Sequence, residues 1–315
     1  MTKKLNNRDW VKKYEPHLQN NDLIKAVNVP ELEITHLSSW SFLKLAFLWS
    51  YAYYIYAPIA GKFFKNIYYV DLFSGTGLCS YDYDGNEHLL LGSPILMSTL
   101  QTHNPFKKCY FFEKFEYISL EERMQILRDE KLLSCGEYEI FPEDCNSRVD
   151  DLIKELKTIP NAHFLLFVDP YSTEIDWSTL EKFLNLEYPK FDMIFNFLPF
   201  GVNRQSNHDD KMCKFFGDED YKKCLVKHST ERLQSLEDHY IENLKKYPNN
   251  VKVIHKIRIK SGKSFYYDLL YTTRKDNPSW IKGVEHLGKT IEKLSGYEVS
   301  VILDPCASTL DEYFR

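Results

Sequence analysis

Four short stretches of this chain combine acids, glycines and aromatics in patterns that serve ligand chemistry. In Tyr68-Tyr69-Val70-Asp71-Leu72-Phe73-Ser74-Gly75-Thr76-Gly77, a β-branched and aromatic run ends in an acid and two glycines follow. Asp71 can accept a hydrogen bond from a ligand, while Gly75 and Gly77 supply positive φ or bare backbone that a Cβ would block. In an open parallel sheet, ligands sit outside the carboxyl ends of the strands, and the first strand–turn usually carries the glycines. The second stretch, Cys109-Tyr110-Phe111-Phe112-Glu113, closes a strand with an acid, where a doubly wound nucleotide site holds a pair of ribose hydroxyls. In the third, Asp144 lies just beyond Tyr138-Glu139-Ile140-Phe141. It either accepts from an exocyclic adenine amine or is a turn or cap aspartate before the next helix. The fourth, Asp169-Pro170-Tyr171, follows an apolar run at residues 163–168. An acid, a proline and an aromatic at a sheet edge can accept from an amino group, hold a carbonyl and stack a planar ring. The same tripeptide is also an ordinary turn.

Those residues need strands that end together at one edge. The runs at 68–70, 109–112, 138–141, 163–168 and 192–196 alternate with helical stretches, one starting at Ser93 and others at 116–133, 147–157 and 177–186, which is the signature of a doubly wound parallel sheet. Residues 163–168 are apolar on both faces, as a central parallel strand requires. Gly92-Ser93-Pro94 reads as a helix start, with Ser93 as N-cap and Pro94 at the first helical position. Residues 78–91 read as a loop over the pocket mouth. Upstream, residues 1–30 are expected to be a loosely attached arm with short helices. Ser38 or Ser39 would cap a helix carrying Trp40, Leu43, Phe47, Tyr51 and Tyr54 as a core stripe, with Lys44 off the stripe and within reach of the pocket. After the fifth strand, residues 201–249 form a polar helical insertion, the place of a lid or substrate-selecting element, with Asn196, Asn203 and Arg204 near its start. Residues 251–260 and 265–272 flank Ser261-Gly262-Lys263 as a β-hairpin. Lys252, Lys256, Arg258 and Lys260 on one of its faces either track phosphates or guard an edge strand. A helix at 279–294 precedes a last short strand at 297–303. Asp304-Pro305-Cys306 lies outside the sheet order and is not expected to supply a nucleophile.

Composition narrows the class. A chain of 315 residues with 43% hydrophobic content, 12 glycines and 13 prolines is globular and large enough for a substantial core. A net charge of −5 demands no polyanionic partner. Seven cysteines without a CxxC pair point to reduced thiols in a cytoplasm, and ten histidines without HxH or HExxH spacing give no metal-ligand pattern. Met1-Thr2-Lys3-Lys4 leads into polar sequence, so no secretory leader is expected. Residues 42–60 contain Lys44, Ser50, several tyrosines and Pro58, which favours a buried helix over a membrane span. The expected organisation is an N-terminal helical arm at 1–62, an α/β domain at 63–275 with the insertion at 201–249, and a C-terminal helix and tail at 276–315.

Five parallel strands followed by a β-hairpin resemble class I S-adenosylmethionine-dependent methyltransferases. The resemblance implies a Rossmann-like, mostly parallel seven-stranded sheet. It implies that Asp71, Gly75 and Gly77 hold the methionine end of S-adenosylmethionine, with Phe73 in place of the usual first glycine. Glu113 would take the ribose, Asp144 the adenine side, and Asp169-Pro170-Tyr171 the reacting group. The Asp-Leu-Phe-Ser-Gly wording looks like nucleic-acid methyltransferases, and the absence of Pro-Cys after the fourth strand argues against cytosine C5 chemistry. The blocks Tyr69–Gly75, Gly92-Ser93-Pro94, Val168–Tyr171 with Trp177, Asn196-Phe197 with Asn203-Arg204, and Phe216-Gly217 are similar to the three-Cys-motif partner protein family in content and order. That resemblance implies a partner with three cysteines that looks like a radical S-adenosylmethionine enzyme. The expected function is methyl transfer to a nitrogen of a nucleic acid or nucleotide-like acceptor. The alternatives are a non-catalytic subunit that docks on that partner and a different nucleotide ligand on the same fold.

Overall fold

The computed structural model describes residues 6–83 and 85–304; Pro305 and Cys306 lie outside the described residues. The chain opens with α1 (Asn7–Leu18), α2 (Asn21–Val27), the short strand β1 (Thr35–His36) and α3 (Ser41–Ser50). A π-helix (Tyr51–Tyr56) and α4 (Ala57–Phe63) lead into β2 (Asn66–Asp71), β3 (Leu78–Tyr83), β4 (Asn86–Leu91) and α5 (Ser93–Ser98). Strands and helices then alternate through β5 (Lys108–Phe112), α6 (Tyr117–Asp129), β6 (Glu137–Phe141), α7 (Cys145–Thr158), β7 (Ala162–Val168), α8 (Trp177–Leu184) and β8 (Lys190–Phe197). The remainder comprises α9 (Pro199–Arg204), α10 (Asp209–Phe216), α11 (Lys222–Leu225), α12 (Ser229–Lys245), β9 (Val253–Lys260), β10 (Tyr266–Thr273), α13 (Ile281–Ile291) and α14 (Gly296–Leu303).

The main sheet has seven strands in the order β6-β5-β2-β7-β8-β10-β9. The first five are parallel, and β10 runs antiparallel to both β8 and β9. This is the doubly wound, mostly parallel sheet of class I methyltransferase type. The order reverses between β2 and β7, which diverge from there to opposite sides, so the topological switch point lies at their carboxyl ends. Period-two alternation divides the core. Ile67, Tyr69, Phe111, Leu165 and Phe167 join α3, α5 and α6 on one face. Tyr68, Val70, Phe112, Leu166 and Val168 join α7, α8 and α12 on the other. Every residue of β7 is buried, and each large apolar side chain there contributes about 1.5–3 kcal/mol.

Several local expectations are corrected. Residues 78–91 are not a loop: β3 and β4 pair antiparallel, and β1 adds in parallel to β3 through Thr35 opposite Cys79. Alternation of polar and apolar residues in the hairpin is masked by Asp82, Asn86 and Glu87 around the turn. The N-terminal arm is not loose, because Trp10, Val11, Tyr14 and Leu18 of α1 are buried in the core. Neither Ser38 nor Ser39 caps α3; Trp40 occupies that position without a side-chain bond, and the Ser39 hydroxyl donates to the Gly296 carbonyl at 2.9 Å. Residues 297–303 form a helix rather than a strand, begun by a capping box between Ser295 and Glu298. In the insertion, Phe215, Phe216, Tyr221 and Tyr240 are buried. The basic strand β9 is an edge strand, but Lys256 and Arg258 face inward to Glu237 and Asp268 rather than guarding open solvent. No helix among the described residues is long and apolar enough to cross a membrane.

Candidate functional site

The glycine turn follows β2 directly. Gly75 (φ +62°) and Gly77 (φ +83°) hold left-handed backbone that other side chains rarely adopt. Asp71 lies beneath them, fully buried, and its carboxylate is spent internally. Oδ1 accepts from the Phe73 amide at 3.2 Å, and Oδ2 accepts from the Tyr69 hydroxyl at 2.9 Å and the Ser93 hydroxyl at 2.7 Å. Burial pushes Asp71 up to about 7, against the downward pull of those donors. Gly92 is the N-cap of α5 and Ser93 its first helical residue, so the hydroxyl expected to cap the helix instead ties it to Asp71.

Glu113 is the second organiser of the turn. Its Oε2 accepts from the Gly75 amide at 2.8 Å, and Oε1 accepts from the Phe115 amide at 2.9 Å and the Glu116 amide at 3.1 Å. A carboxylate has about four lone-pair sites, so one on Oε2 remains for a ligand. Asp144 is the N-cap of α7, accepting from the Asn146 amide at 2.9 Å, with Lys114 3.4 Å from its other oxygen. Of the two readings of Asp144, the cap is the one its bonds satisfy.

A wall from the N-terminal segment closes over the turn. The Thr35 and Thr76 hydroxyls share a hydrogen bond at 3.0 Å, and each accepts from the other's amide at 3.2 Å. Behind them Arg123, fully buried, donates to the carbonyls of Val27, Glu33 and Thr76 at 3.1, 2.6 and 2.9 Å. At the other end, beyond β7, Lys44 Nζ stands 2.5 Å from Asp169 Oδ2, with the two side chains 9% and 19% exposed. The Asn196 amide donates to Asp169 Oδ1 at 2.6 Å. Asn196 Oδ1 and Ser172 Oγ, both buried, have no hydrogen-bond partner among the described residues. Tyr171 is 66% exposed, and its amide donates to Glu174 at 2.5 Å.

These parts surround one cavity of about 850 Å³ at the carboxyl ends of β2, β5, β6 and β7. Phe73, Gly75, Glu113, Asp144, Asp169 and Tyr171 line it together, as does Lys44. Asp71, Gly77, Pro170, Asn196, Asn203 and Arg204 do not. Asp71 and Asn196 act through the residues they hold, and Arg204 is exposed.

No known family model matches the sequence, and no curated protein matches it. Solved structures do match. Cofactor-bound Rv0187 from MTB is 10% identical, with 87% of this chain and 100% of that chain covered and a TM-score of 0.43. The O-methyltransferase TomG from Streptomyces achromogenes, in complex with SAM, is 13% identical over 87% of this chain and 93% of that chain, TM-score 0.39. A putative O-methyltransferase from Klebsiella pneumoniae is 13% identical over the same shares, TM-score 0.41. The likenesses are distant, and the fold stands on the strand order.

Thr35, His36, Thr76, Glu174, Lys211 and Lys214 also line the cavity without having been singled out from the sequence. Thr76 sits inside the glycine turn and was within reach of inspection. Thr35 and the two lysines come from segments distant in sequence, and nothing local marks them.

Proposed function

We propose that this chain is an S-adenosylmethionine-dependent methyltransferase acting on a nitrogen of a nucleic acid or nucleotide-like acceptor. The observation that carries the reading is the continuity of the cavity, which runs from the glycine turn and Glu113 to Asp169 and Tyr171. Its volume lies within the usual range for cofactor sites.

The residues present fit the cofactor. The positive-φ turn keeps the approach to its backbone free of side chains, Glu113 has a lone pair to spare for a ribose hydroxyl, and Asp144 stands on the wall beyond it. When bound, the cofactor supplies a sulfonium methyl that is already electrophilic, so positioning and exclusion of water account for most of the rate. Asp169, pinned by Lys44 and Asn196, accepts an N–H of the acceptor and turns its lone pair toward the methyl. Asn196 holds Asp169 in place from behind the wall, and the exposed Tyr171 ring offers a stacking face. Lys44 neutralises Asp169, so the acid orients the amine without binding a cation in its place.

Exposed aromatics in the insertion would favour the docking-subunit alternative, and Phe215, Phe216, Tyr221 and Tyr240 are buried. The three-cysteine partner therefore rests on the sequence blocks alone and is tested by co-purification. The reading itself is tested by calorimetric titration with S-adenosylmethionine. Low-micromolar binding, about −8 kcal/mol, is expected, with loss in Glu113→Ala and Gly75→Val. Transfer of labelled methyl to a nucleic-acid pool should then fail in Asp169→Ala. No binding would remove the cofactor reading; full activity in Asp169→Ala would remove the assigned acceptor end.

A further inference from the structure

The opposite edge of the sheet carries a second concavity that methyl transfer does not use. It has a volume of about 530 Å³ and is lined by Phe63, Phe64, His163, Asp192, Arg274 and Trp280 among others. A smaller cavity of about 50 Å³ shares five of these six residues and reaches Tyr51 and Tyr56 of the π-helix. His163 and Asp192 lie at the starts of β7 and β8, and Arg274 follows the antiparallel β10. The site is thus at the amino ends of the parallel strands, roughly 20 Å from the first cavity for a seven-residue strand.

The π-helix gives this edge its shape. At 3.6 residues per turn, positions five apart on an α-helix differ by about 140° and face different neighbours. The i→i+5 repeat of a π-helix brings them onto one face, and such segments are rare and recur at functional sites. Here it lets the Tyr51 hydroxyl donate to Asp192 Oδ2 at 2.7 Å while the Tyr56 hydroxyl meets His163 Nδ1 at 3.2 Å. From Tyr51 the network continues to the Tyr271 hydroxyl at 3.1 Å, which accepts from Trp280 Nε1 at 2.9 Å and so fixes the indole. The Phe64 and His163 rings lie 4.7 Å apart, and Phe63 is 68% exposed at the mouth.

Charge supplies the second requirement. Lys252 is paired with Asp276 at 2.9 Å, and Lys275 lies over the Trp280 ring at 5.5 Å. Half-buried Arg274 makes no ion pair or hydrogen bond among the described residues; the buried Asp192 carboxylate feels its charge but accepts from the Tyr51 hydroxyl, leaving the guanidinium donors open. An unfilled guanidinium fork suits a carboxylate or phosphate, which it binds through two parallel bonds. Burial, and then Arg274, push His163 down to about 3, so its ring is a neutral donor or acceptor beside the fork.

We propose that this amino-edge cavity is a second binding site, for a planar aromatic anion whose ring packs among Phe63, Phe64 and Trp280 and whose charge is held by Arg274. The probes are benzoate and phenyl phosphate, with benzamide as the uncharged ring and inorganic phosphate as the ringless anion. Calorimetry on the full chain should show saturable binding of at least one ring anion. Benzamide and inorganic phosphate should bind at least about tenfold more weakly, and the preferred ring anion tells carboxylate from phosphate. Arg274→Gln should weaken binding about tenfold or more, and Trp280→Leu should weaken it as well, with wild-type circular dichroism showing that the fold is kept. If Arg274→Gln does not fold, Arg274→Lys keeps the charge without the fork and should still weaken binding. Saturating S-adenosylmethionine should leave the affinity unchanged. No binding of either ring anion, equal binding of benzamide, unchanged affinity in the arginine variants, or displacement by S-adenosylmethionine would each overturn the proposal. The site does not depend on the cofactor reading, so either can fail without the other.

Discussion

Lys44 and Asp169 meet across 125 positions of sequence, and their contact sets the electrostatics of the acceptor end. Lys44 is buried and Asp169 partly so, but both line the cavity, so the energy of the pair lies below that of a wholly enclosed one. Removing one member leaves the other charge with less compensation than water gives it, at a cost of about 2–4 kcal/mol. Lys44→Met and Asp169→Asn are each expected to lower stability by that amount, and the double variant by clearly less than the sum. Urea unfolding of the four proteins measures the coupling; strict additivity would mean the pair is a surface contact with no mutual stabilisation. Asp71 shows the other use of an acid at this edge. It gives its lone pairs to Phe73, Tyr69 and Ser93 and shapes the turn from beneath, where the expectation from sequence was direct contact with the cofactor.

Among elements, the segment between α2 and α3 has the least secondary structure of its own and the most external support. It contains only the two-residue β1, yet it forms the wall of the cavity through Thr35. Arg123 on α6 holds it by bonding to carbonyls on both sides of the gap, at Val27 where α2 ends, at Leu32 and Glu33 on the segment, and at Thr76 in the glycine turn. Arg123→Leu fills much of the volume but leaves those carbonyls short of donors, at about 1–3 kcal/mol for each one truly buried. A total loss of about 3–5 kcal/mol is expected, together with faster amide exchange across residues 28–37 and weaker cofactor binding. Unchanged exchange there would show that the Thr35–Thr76 pairing suffices alone. A comparable dependence appears at Gly217, which ends α10 at φ +76°, with the position of a Cβ only 2.4 Å from Trp177 Cδ1. Gly217→Ala is expected to push α10 and its two cavity-lining lysines off α8, at about 2 kcal/mol or more, measurable as a drop in Tm.

For the whole molecule, buried acids and buried histidines act against each other as pH changes. Asp71 and Glu237 are pushed up to about 7 and Asp192 to about 6, each mainly by burial. A folded state that holds protons more tightly than the unfolded chain has this stability in full below the unfolded carboxylate range and loses it as pH rises through the folded values. Buried histidines have the opposite sign. His163 at about 3, with the half-buried His255 lowered in the same direction, stabilises the fold above the unfolded histidine value and loses that contribution as pH falls. The two sets oppose each other from about pH 4 up through the unfolded histidine value, and the unfolded histidines shed their last protons between about pH 6.5 and 8, which offsets part of the loss from the acids. Stability is therefore expected to fall by about 1 kcal/mol between pH 6.5 and 8, and Asp71→Asn should flatten the decline. Urea unfolding at three pH values checks this, and a rise over the same interval would contradict it.

Periodicity determined most of the architecture. The five parallel strands, the hairpin that follows them, and the acids and glycines at their carboxyl ends are visible because a strand buried on both faces must be continuously apolar, and a turn at its end needs residues without that constraint. The positive-φ glycines were legible for the same local reason. What the tertiary structure decided is where each polar side chain spends its hydrogen bonds. Asp71 has the right type and spacing for a ligand, but neighbouring hydroxyls and an amide reach it first, while Asp144 caps α7 with one oxygen and still lines the cavity. Lys44 is one off-stripe residue on a helix until folding sets it against Asp169. The β3–β4 hairpin has polar residues around its turn and was hidden by them, and the residues that became α14 have strand-like valines and isoleucine that a capping box overrides. The π-helix has no signal in its run of tyrosines, because only Asp192 and His163, from two other strands, give that geometry its purpose. Side-chain partners chosen across more than a hundred positions depend on the sheet being assembled, and no local pattern records them.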